Sequence, residues 1–373
     1  MIYFDCAATS LQKPKEVSVA VSRAIGTMAS PGRGCHRPAM LAADCVLNCR
    51  MLLASYFNVA DPENVVFTFN ATHGLNIAIN SLVSEGDKVV ISGYEHNSVT
   101  RPLKALNAEV YVVKSELFNQ KETLEAFRLA LPGAKCVICT HVSNAFGFIL
   151  PIREISQLCR SFGVPLIIDA SQSAGTLPID FTVLDAKFIA MPGHKGLLGP
   201  QGTGVLLCNF ETKPILFGGT GSNSAASLMP DFLPDRLEAG THNVSSIAGL
   251  AQGVKFIASK PKEALFKHEK SLCADFAERL EGIPELTVYF DRSLKAQSGV
   301  LSISSSRIGS DQLAEKLGDA GICVRAGLHC APTAHETVGT IEEGTVRFSF
   351  SPFNTHAEVA YSADLLKKLL NTL

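Results

Sequence analysis

The feature that most limits the possible folds is an alternation of short apolar runs with longer amphipathic segments between residues 40 and 210. We predict a strand at each apolar run, at residues 65–69, 88–92, 109–113, 135–140, 164–169, 187–191 and 204–208. Strands that alternate with helices build a mostly parallel sheet with helices on both faces, joined by right-handed crossovers. The sequence therefore predicts an α/β fold whose ligand site lies at the carboxyl ends of the strands.

Length and composition indicate two domains. The chain has 373 residues, of which 46% are hydrophobic and 18% are charged, so it can bury more than one core. We predict a large domain over residues 15–260 and a small α+β domain that combines residues 1–14 with residues 261–373. The boundary is placed at Lys260-Pro261-Lys262, where a proline ends the preceding helix. The small domain is predicted to contain two strands, at residues 300–303 and 346–350, and three helices, a long one that follows the boundary to about residue 281 and two near residues 310–320 and 355–371.

Charge and hydrophobic patterning disfavour two classes of partner. The formal net charge of -2 provides no basic field for nucleic acid or for an anionic membrane surface. The first residues lack a basic segment followed by an apolar run, and no stretch of about 20 uncharged apolar residues occurs later. We therefore expect no nucleic-acid binding, no membrane insertion and a cytoplasmic location.

The cysteines are predicted to be mostly buried thiols. There are eleven, an odd number in a chain without an export signal, which argues against a disulfide framework. Cys136 and Cys139 form a C-x-x-C motif, but they lie in an apolar run that is predicted to be a strand. No second cysteine pair has the spacing of a metal site, so we predict no metal.

Two polar residues stand at the ends of predicted strands. Lys195 lies in a glycine-rich turn that follows one strand, and Asp169 ends another strand 26 positions earlier. Because ligands of such sheets bind at the carboxyl ends of strands, we expect the two side chains to share a site. A lysine that forms a Schiff base, together with a carboxylate for a pyridinium nitrogen, is the arrangement that pyridoxal phosphate requires. The pair therefore predicts that cofactor, with Lys195 as its attachment point.

A polar turn after the first strand is the predicted phosphate site. Asn70, Ala71 and Thr72 precede a run whose apolar residues have helical spacing. The start of a helix offers unpaired backbone N–H groups and the positive end of the helix dipole to an anion. The alternative is that Asn70 or Thr72 only caps the helix, and the two interpretations are compatible. We predict that Ala71 and Thr72 bind the phosphate.

Three motifs resemble those of one enzyme family. The sequence resembles the class V aminotransferase superfamily at three motifs. These are Asp169-Ala170-Ser171-Gln172, Gly193-His194-Lys195 and residues 324–332 around Cys330. Within it, the resemblance is to the group II cysteine desulfurases and the selenocysteine lyases, and it covers nearly the whole chain in family order. It implies a fold-type I pyridoxal phosphate enzyme: a large domain with a seven-stranded, mostly parallel sheet, a small α+β C-terminal domain, and a homodimer.

The resemblance also implies roles for side chains around the cofactor. His96 is expected to lie flat on the cofactor ring, opposite the lysine. Asn144 and Gln172 are expected near the phenolic oxygen, with Asn144 also near the substrate. Thr241, in a glycine-bearing loop, is expected to bind phosphate in the neighbouring subunit. The word Arg33-Gly34-Cys35-His36 resembles a motif at the substrate entrance, where His36 would contact substrate, although an ordinary surface turn is the alternative.

Cys330 is the cysteine with a sequence argument for reactivity. It occupies the position of the catalytic cysteine in the group II desulfurases, and Arg325 lies five residues earlier. Nearby positive charge lowers a thiol pKa, and exposure lets the thiol react. Arg347 offers two N–H groups for a substrate α-carboxylate, the alternative being an arginine that pairs with an acidic side chain. We predict that Arg325 and Arg347 contact the substrate.

Three positions depart from the family pattern. Pro192 stands where a hydroxyl residue is common, Cys6 where asparagine is usual, and Leu328 where many members have a second histidine. Pro192 has neither an N–H nor a hydroxyl to donate. We therefore expect one phosphate contact fewer, with His194 and Thr72 binding more of the anion.

The resemblance implies a desulfurase mechanism. L-cysteine displaces Lys195 from the cofactor, the freed lysine removes the α-proton, and the Cys330 thiolate attacks the substrate sulfur, which leaves a persulfide and alanine. A selenocysteine lyase acting on L-selenocysteine is the nearest alternative. A class V transaminase or epimerase would not need Cys330, and an inactive scaffold of sulfur transfer is a further alternative. A sulfur- or selenium-acceptor protein is the expected partner.

Overall fold

A computed structural model describes residues 1–32 and 34–371 of the chain. The strands of these residues are β1 (Ile2–Tyr3), β2 (Val65–Thr68), β3 (Lys88–Ser92), β4 (Glu109–Val113), β5 (Cys136–Thr140), β6 (Leu166–Asp169), β7 (Phe188–Pro192), β8 (Gly204–Cys208), β9 (Leu286–Tyr289), β10 (Val300–Ser305), β11 (Ile322–Cys323), β12 (Arg325–Gly327) and β13 (Thr345–Ser349). The α-helices are α1 (Lys15–Thr27), α2 (Arg37–Phe57), α3 (Ala71–Leu82), α4 (Asn97–Ala105), α5 (Gln120–Ala130), α6 (Ile152–Phe162), α7 (Phe181–Leu184), α8 (Val244–Ala258), α9 (Ala264–Leu280), α10 (Ser310–Asp319), α11 (Pro332–Val338) and α12 (His356–Asn371).

The largest sheet has seven strands in the order β2-β8-β7-β6-β5-β3-β4. β8 runs antiparallel to its neighbours β2 and β7, and the other strand pairs are parallel. Along β5, Val137 and Cys139 join one apolar cluster while Cys136 and Ile138 join another, so both faces of the sheet are buried. Burial on both faces explains why the strands read as continuous apolar runs. The predicted α/β fold with a seven-stranded, mostly parallel sheet is confirmed, and each predicted strand lies in it.

The sheet brings Asp169 and Lys195 to the same edge. β6 and β7 are parallel neighbours, with Asp169 opposite Ala190 in the register. Asp169 is the last residue of β6, and Lys195 lies in the turn that follows β7. The prediction that both residues stand at carboxyl ends of strands is therefore confirmed.

Helix α2 packs along the edge of the large core. Its buried residues include Cys49, Leu53 and Phe57, which belong to the main apolar cluster. It is the described helix that is long and apolar enough to span a membrane by length and composition. A core helix of a soluble protein has the same apolar character, so this feature alone is weak support for a membrane span.

A second core lies in the C-terminal part of the chain. β12, β13, β10 and β9 form an antiparallel sheet, and β1 pairs with β11 in a short parallel ladder. The ring of Phe4 lies within 6.4 Å of the rings of Phe276, Phe348 and Phe350, so the N-terminal segment joins this core. This agrees with the α+β character predicted for the small domain, whereas its boundaries stay a prediction.

The strands predicted at 300–303 and 346–350 are present as β10 and β13. The helices predicted near 310–320 and 355–371 are present as α10 and α12. β9, β12 and α11 were not predicted. In β9 Thr287 interrupts the apolar residues, and β12 has three residues, so neither produces a continuous apolar run that would identify it.

Candidate active site

Lys195 and Asp169 form the centre of the candidate site. Asp169 is buried, and its Oδ1 accepts a hydrogen bond of 2.9 Å from the Ser171 N–H. Lys195 as a whole residue is partly exposed, but its amine lies in a desolvated environment. This burial lowers the pKa of Lys195 to about 8, and the opposing attraction of Asp169 is the next largest influence. The amine is thus uncharged in a larger fraction of molecules near neutral pH than an exposed lysine would be.

A cleft at the strand ends surrounds these two residues. Eight of the predicted cofactor residues line it: Ala71, Thr72, His96, Asn144, Asp169, Gln172, His194 and Lys195. The structure thus brings together residues that are widely separated in the sequence, while their individual roles stay predictions.

The start of α3 forms one wall of the cleft. Asn70 caps the helix, because its side-chain oxygen accepts a 2.9 Å hydrogen bond from the His73 N–H. Thr72 is exposed, and its hydroxyl lies 2.7 Å from that of Ser98. The capping role predicted for Asn70 is therefore confirmed. Asn70, Ala71 and Thr72 all line the cleft, so the start of α3 lies where it could hold an anion.

His96 is held by the helix that follows it. It is the N-cap of α4, and its Nδ1 accepts a hydrogen bond of 3.0 Å from the Ser98 N–H. Burial lowers the pKa of His96, with Asp169 opposing this and Lys195 adding to it. The imidazole is therefore favoured in its neutral form, and its orientation is fixed. Ser98, which contacts both His96 and Thr72, was missed because a serine in the first turn of a helix carries no distinctive sequence signal.

Gln172 and Asn144 approach the cleft from separate loops. Gln172 Nε2 donates a 2.9 Å hydrogen bond to the carbonyl of Ala7, which fixes its side chain against the N-terminal segment. Asn144 is buried, and its Nδ2 donates a 2.7 Å hydrogen bond to the carbonyl of His329. Asn144 therefore links the cleft to the loop that carries Cys330.

Pro192 ends β7, and His194 lies in the turn that follows, directly before Lys195. His194 Nδ1 is 3.0 Å from the hydroxyl of Thr9, and burial lowers the pKa of His194 to about 4. A neutral imidazole can bind an anion only through an N–H and not through charge. Pro192 is the buried last residue of β7 and lines the cleft, so the position that lacks a donor does face the candidate ligand site.

Arg347 is buried and already paired. Its Nη2 donates to Asp5 Oδ1 at 3.0 Å, and its Nη1 donates to the Asn144 carbonyl at 2.9 Å. Its Nε is buried and has no hydrogen-bond partner among the described residues. The alternative of a strand arginine paired with an acid is thus present, together with one donor that a substrate carboxylate could use.

Asp5 is the main functional candidate that the sequence analysis missed. Its carboxylate binds Arg347 and also Arg325, whose Nη2 lies 2.8 Å away. Arg325 is therefore held by an acid beside the site and is itself largely exposed. Asp5 directly precedes Cys6, one of the positions that depart from the family pattern, and an isolated acid after a short strand carries no signal for a partner more than 300 positions away.

Cys330 is exposed and lies near the buried amine. The charge of its thiolate is among the influences that raise the pKa of Lys195 and of Arg325. By contrast, Cys136 and Cys139 are buried in β5, as predicted, and burial raises the pKa of Cys136 to about 12. Cys330 is therefore an exposed thiol with Lys195 and Arg325 in its surroundings, which distinguishes it from the buried thiols of β5.

Two predicted residues, His36 and Thr241, lie away from the cleft. His36 caps α2 and is exposed, and it is not among the residues that line the cleft. Thr241 lies in a separate depression with Phe69 and His73, so it does not reach the cleft of its own chain. Its predicted role toward a neighbouring subunit stays a prediction. Arg33 lies outside the described residues.

The donor set fits pyridoxal phosphate. A buried carboxylate, Asp169, could hold a protonated ring nitrogen, and the buried amine of Lys195 could bond to the aldehyde. The exposed hydroxyl of Thr72 and the N-terminal N–H groups of α3 could hold a phosphate. These three groups line one cleft, so the residues present suit each end of this cofactor.

Comparison with known proteins identifies the family. The model of the aminotransferase class-V family matches residues 2–361. A probable cysteine desulfurase of Pyrococcus abyssi is 34% identical, over all of this chain and 95% of its own length.

Two solved structures are similar along the entire chain. The apo structure of a cysteine desulfurase from Thermococcus onnurineus has a TM-score of 0.92 and 32% identity, and the match covers 100% of this chain and 95% of that one. The cysteine desulfurase CsdA from Escherichia coli has a TM-score of 0.87 and 25% identity, with the same coverage of 100% and 95%. The chain therefore belongs to the aminotransferase class-V family, in which the proteins it is similar to are cysteine desulfurases.

Proposed function

We propose that this chain is a pyridoxal phosphate-dependent cysteine desulfurase that converts L-cysteine to L-alanine and forms a persulfide on Cys330. The observation that carries the proposal is the presence of an exposed thiol, Cys330, within electrostatic reach of a buried amine, Lys195, which shares its cleft with Asp169. A transaminase or an epimerase would use the amine and the carboxylate, but it would have no use for the thiol.

Each residue has a defined task. Pyridoxal phosphate, when bound, supplies an electron sink for negative charge at the substrate Cα, and Asp169 keeps its ring nitrogen protonated. Lys195, whose pKa is lowered to about 8, can accept the Cα proton as a neutral amine near neutral pH. Arg347 Nε is a buried donor that can bind the substrate carboxylate. His96, neutral and fixed by Ser98, limits the orientation of groups in the cleft.

The sulfur step balances without an external oxidant. The Cys330 thiolate forms a bond to the substrate sulfur as the bond between that sulfur and the substrate Cβ breaks. The released three-carbon fragment takes up protons and leaves as alanine, and the sulfur stays on Cys330 as a persulfide. Because Cys330 is exposed, an acceptor protein with its own thiol could then remove this sulfur.

The assembly that we propose is a homodimer. Thr241 lies outside the cleft of its own chain, as expected of a residue that serves the neighbouring subunit. Met40, Leu47 and Met51 of α2 are exposed apolar residues, and their spacing places them along one side of the helix. A cytoplasmic location is also proposed, and the buried thiols such as Cys136 and Cys139 support a reducing compartment.

The decisive test is the Cys330→Ala variant of the cofactor-loaded protein. Its rate of alanine release from L-cysteine should be lower than that of the parent by at least about 100-fold. The cofactor spectrum should nevertheless still change when L-cysteine is added. Cys45→Ala, a substitution of a partly buried cysteine on α2, is the matched control and should have parental activity. Parental turnover of L-cysteine by Cys330→Ala would exclude the persulfide mechanism.

Selenocysteine as a substrate distinguishes the proposed desulfurase from the nearest alternative, a selenocysteine lyase. Selenium leaves carbon more readily than sulfur, so a lyase reaction on selenocysteine could survive without the thiol. A Cys330→Ala variant that is inactive on cysteine and active on selenocysteine would show that the thiol is needed for sulfur. A parental protein that releases alanine only from selenocysteine would instead identify a selenocysteine lyase.

A further inference from the structure

The loop that carries Cys330 has a backbone that needs support. We call residues 327–331 the Cys330 loop. Within it, φ is 93° at Gly327, 53° at His329 and 56° at Cys330. Residues with a side chain rarely adopt positive φ, and here two do so in succession. The surrounding structure must therefore hold the loop in this conformation.

Three hydrogen bonds hold the backbone around Cys330, in addition to those that the Ala331 carbonyl accepts from the Ala334 and His335 N–H groups of α11. The His329 carbonyl accepts from Asn144 Nδ2 at 2.7 Å, and the Cys330 carbonyl accepts from the Asn97 N–H at 2.7 Å. Within the loop, the Ala331 N–H donates to the Leu328 carbonyl at 2.8 Å. These contacts fix the carbonyl groups, but none of them fixes the side chain of His329, the neighbour of the reactive cysteine.

A chain of side-chain hydrogen bonds does fix it. His329 Nε2 lies 3.2 Å from the Arg325 carbonyl, and its Nδ1 lies 3.4 Å from His335 Nε2. His335 Nδ1 in turn lies 2.7 Å from the hydroxyl of Thr340. We call Thr340, His335 and His329 the imidazole chain. His335 is fully buried, and His329 is 8% exposed.

The Arg325 carbonyl determines the direction of every bond in the chain. A carbonyl can only accept, so His329 must carry its proton on Nε2, and its Nδ1 in the neutral ring must accept. His335 therefore donates from Nε2, which leaves its Nδ1 to accept from the Thr340 hydroxyl. Burial lowers the pKa of His335 to about 4 and of His329 to about 2, so both rings are neutral, as this sequence of donors requires.

We propose that the imidazole chain positions the Cys330 thiol. By fixing the ring of His329, Thr340 and His335 hold the left-handed backbone at His329 and Cys330, and that backbone sets where the thiol lies relative to the cleft. None of the three residues contacts the substrate in this inference, so they are positioning residues. The catalytic meaning of the inference rests on the proposed desulfurase function, but the effect on the loop does not.

The first test is Thr340→Val, which keeps the shape of the side chain and removes the hydroxyl. Hydrogen–deuterium exchange of the full-length protein, without cofactor or substrate, should become about tenfold faster in a peptide that spans the Cys330 loop. With cofactor, kcat for alanine release from L-cysteine should fall about tenfold, with a KM within about twofold of the parent. Thr340→Ser, which restores a hydroxyl, should return both quantities toward parental values.

Thr337→Val is the matched control. Thr337 lies on α11, close to His335, and its hydroxyl donates to the backbone carbonyls of Gly93 and Thr333 rather than to the imidazole chain. The exchange of the Cys330 loop should be parental in this variant. If both threonine variants speed exchange equally, the effect is a general loosening of α11 and the inference is wrong.

A measurement on the parent protein covers the case in which Thr340→Val does not fold. Nitrogen-15 NMR of labelled histidine should find His329 and His335 neutral, each with its proton on Nε2. The opposite tautomer of either ring, or a charged ring at pH 7, would overturn the inference. Faster exchange in Thr340→Val from a parent that releases no alanine would support the loop inference and reject the desulfurase. If the parent protein is active and Thr340→Val has parental exchange and a parental kcat, the loop inference is wrong while the desulfurase function stands.

Discussion

Asp5 Oδ1 lies 3.0 Å from Nη2 of Arg347 and so pairs the N-terminal segment with a central strand of the small sheet. The side chains are 11% and 3% exposed, which makes this a buried ion pair. The same carboxylate binds Arg325, whose side chain is 52% exposed. One acid thus holds two arginines in different environments.

This difference predicts unequal effects on stability. Asp5→Asn should lower the free energy of unfolding by about 3 kcal/mol, because it leaves the charge of Arg347 buried without compensation. Arg325→Met removes only the exposed arginine and should cost less than about 1 kcal/mol. Urea unfolding of both variants without cofactor measures the difference, and equal losses would contradict the assignment of Arg347 as the buried partner.

The lowered pKa of Lys195 predicts how its reactivity depends on pH. Acetic anhydride modifies neutral amines, so labelling of Lys195 in the cofactor-free protein should rise with pH and reach half its maximum near pH 8. Mass spectrometry of the labelled peptide measures this. A half-maximum near the ordinary pKa of an exposed lysine, about 10.4, would show that burial does not lower the pKa of this amine.

Lys195→Ala should also lose the visible absorbance of bound cofactor and all turnover. In the parent, borohydride reduction should attach the cofactor permanently to the peptide that contains Lys195. Retention of the absorbance by the variant, with the label on another lysine, would show that the attachment point lies elsewhere.

Pro192→Ser tests the position in the cleft that lacks a donor. A serine there would add a hydroxyl beside the candidate phosphate site, so retention of the cofactor should improve by about 1 kcal/mol, the value of a typical hydrogen bond. The rate of cofactor loss after dilution measures retention. Equal or faster loss would mean that other donors already satisfy the phosphate.

Glu269 predicts a pH-dependent stability. It is buried on α9, and this burial raises its pKa to about 8. Folding therefore favours the protonated form of Glu269. The contribution of this residue to the free energy of unfolding is fully present below the pKa that it has in the unfolded chain, and it is lost as the pH rises toward 8. Glu269→Gln should raise Tm by about 5 °C at pH 8.5 and change it little at pH 5. Glu278→Gln, on an exposed position of α9, should change Tm at neither pH.

Local patterns were sufficient for the elements of the large sheet. The central strands of the large sheet were predictable because burial on both faces makes each one a continuous apolar run, and the edge strand β4 was predictable from its β-branched and aromatic residues although it is mostly exposed. Asp169 and Lys195 were predictable for the same reason, since Asp169 ends one such run and Lys195 lies in the turn that follows another. β9 and β12 were not predicted because Thr287 interrupts the apolar residues of β9 and because β12 has only three residues.

By itself, then, the sequence determined the α/β sheet, the strand-end lysine and carboxylate, and the cysteine that resembles a family nucleophile. Only the tertiary structure decided that Asp5 pairs with Arg347, 342 positions away, and that Thr340 and His335 support His329. The physical reason is that apolar periodicity is a property of neighbouring residues, whereas an ion pair or a directed hydrogen bond depends on how separate elements pack. A single sequence specifies that packing without displaying it in any local pattern.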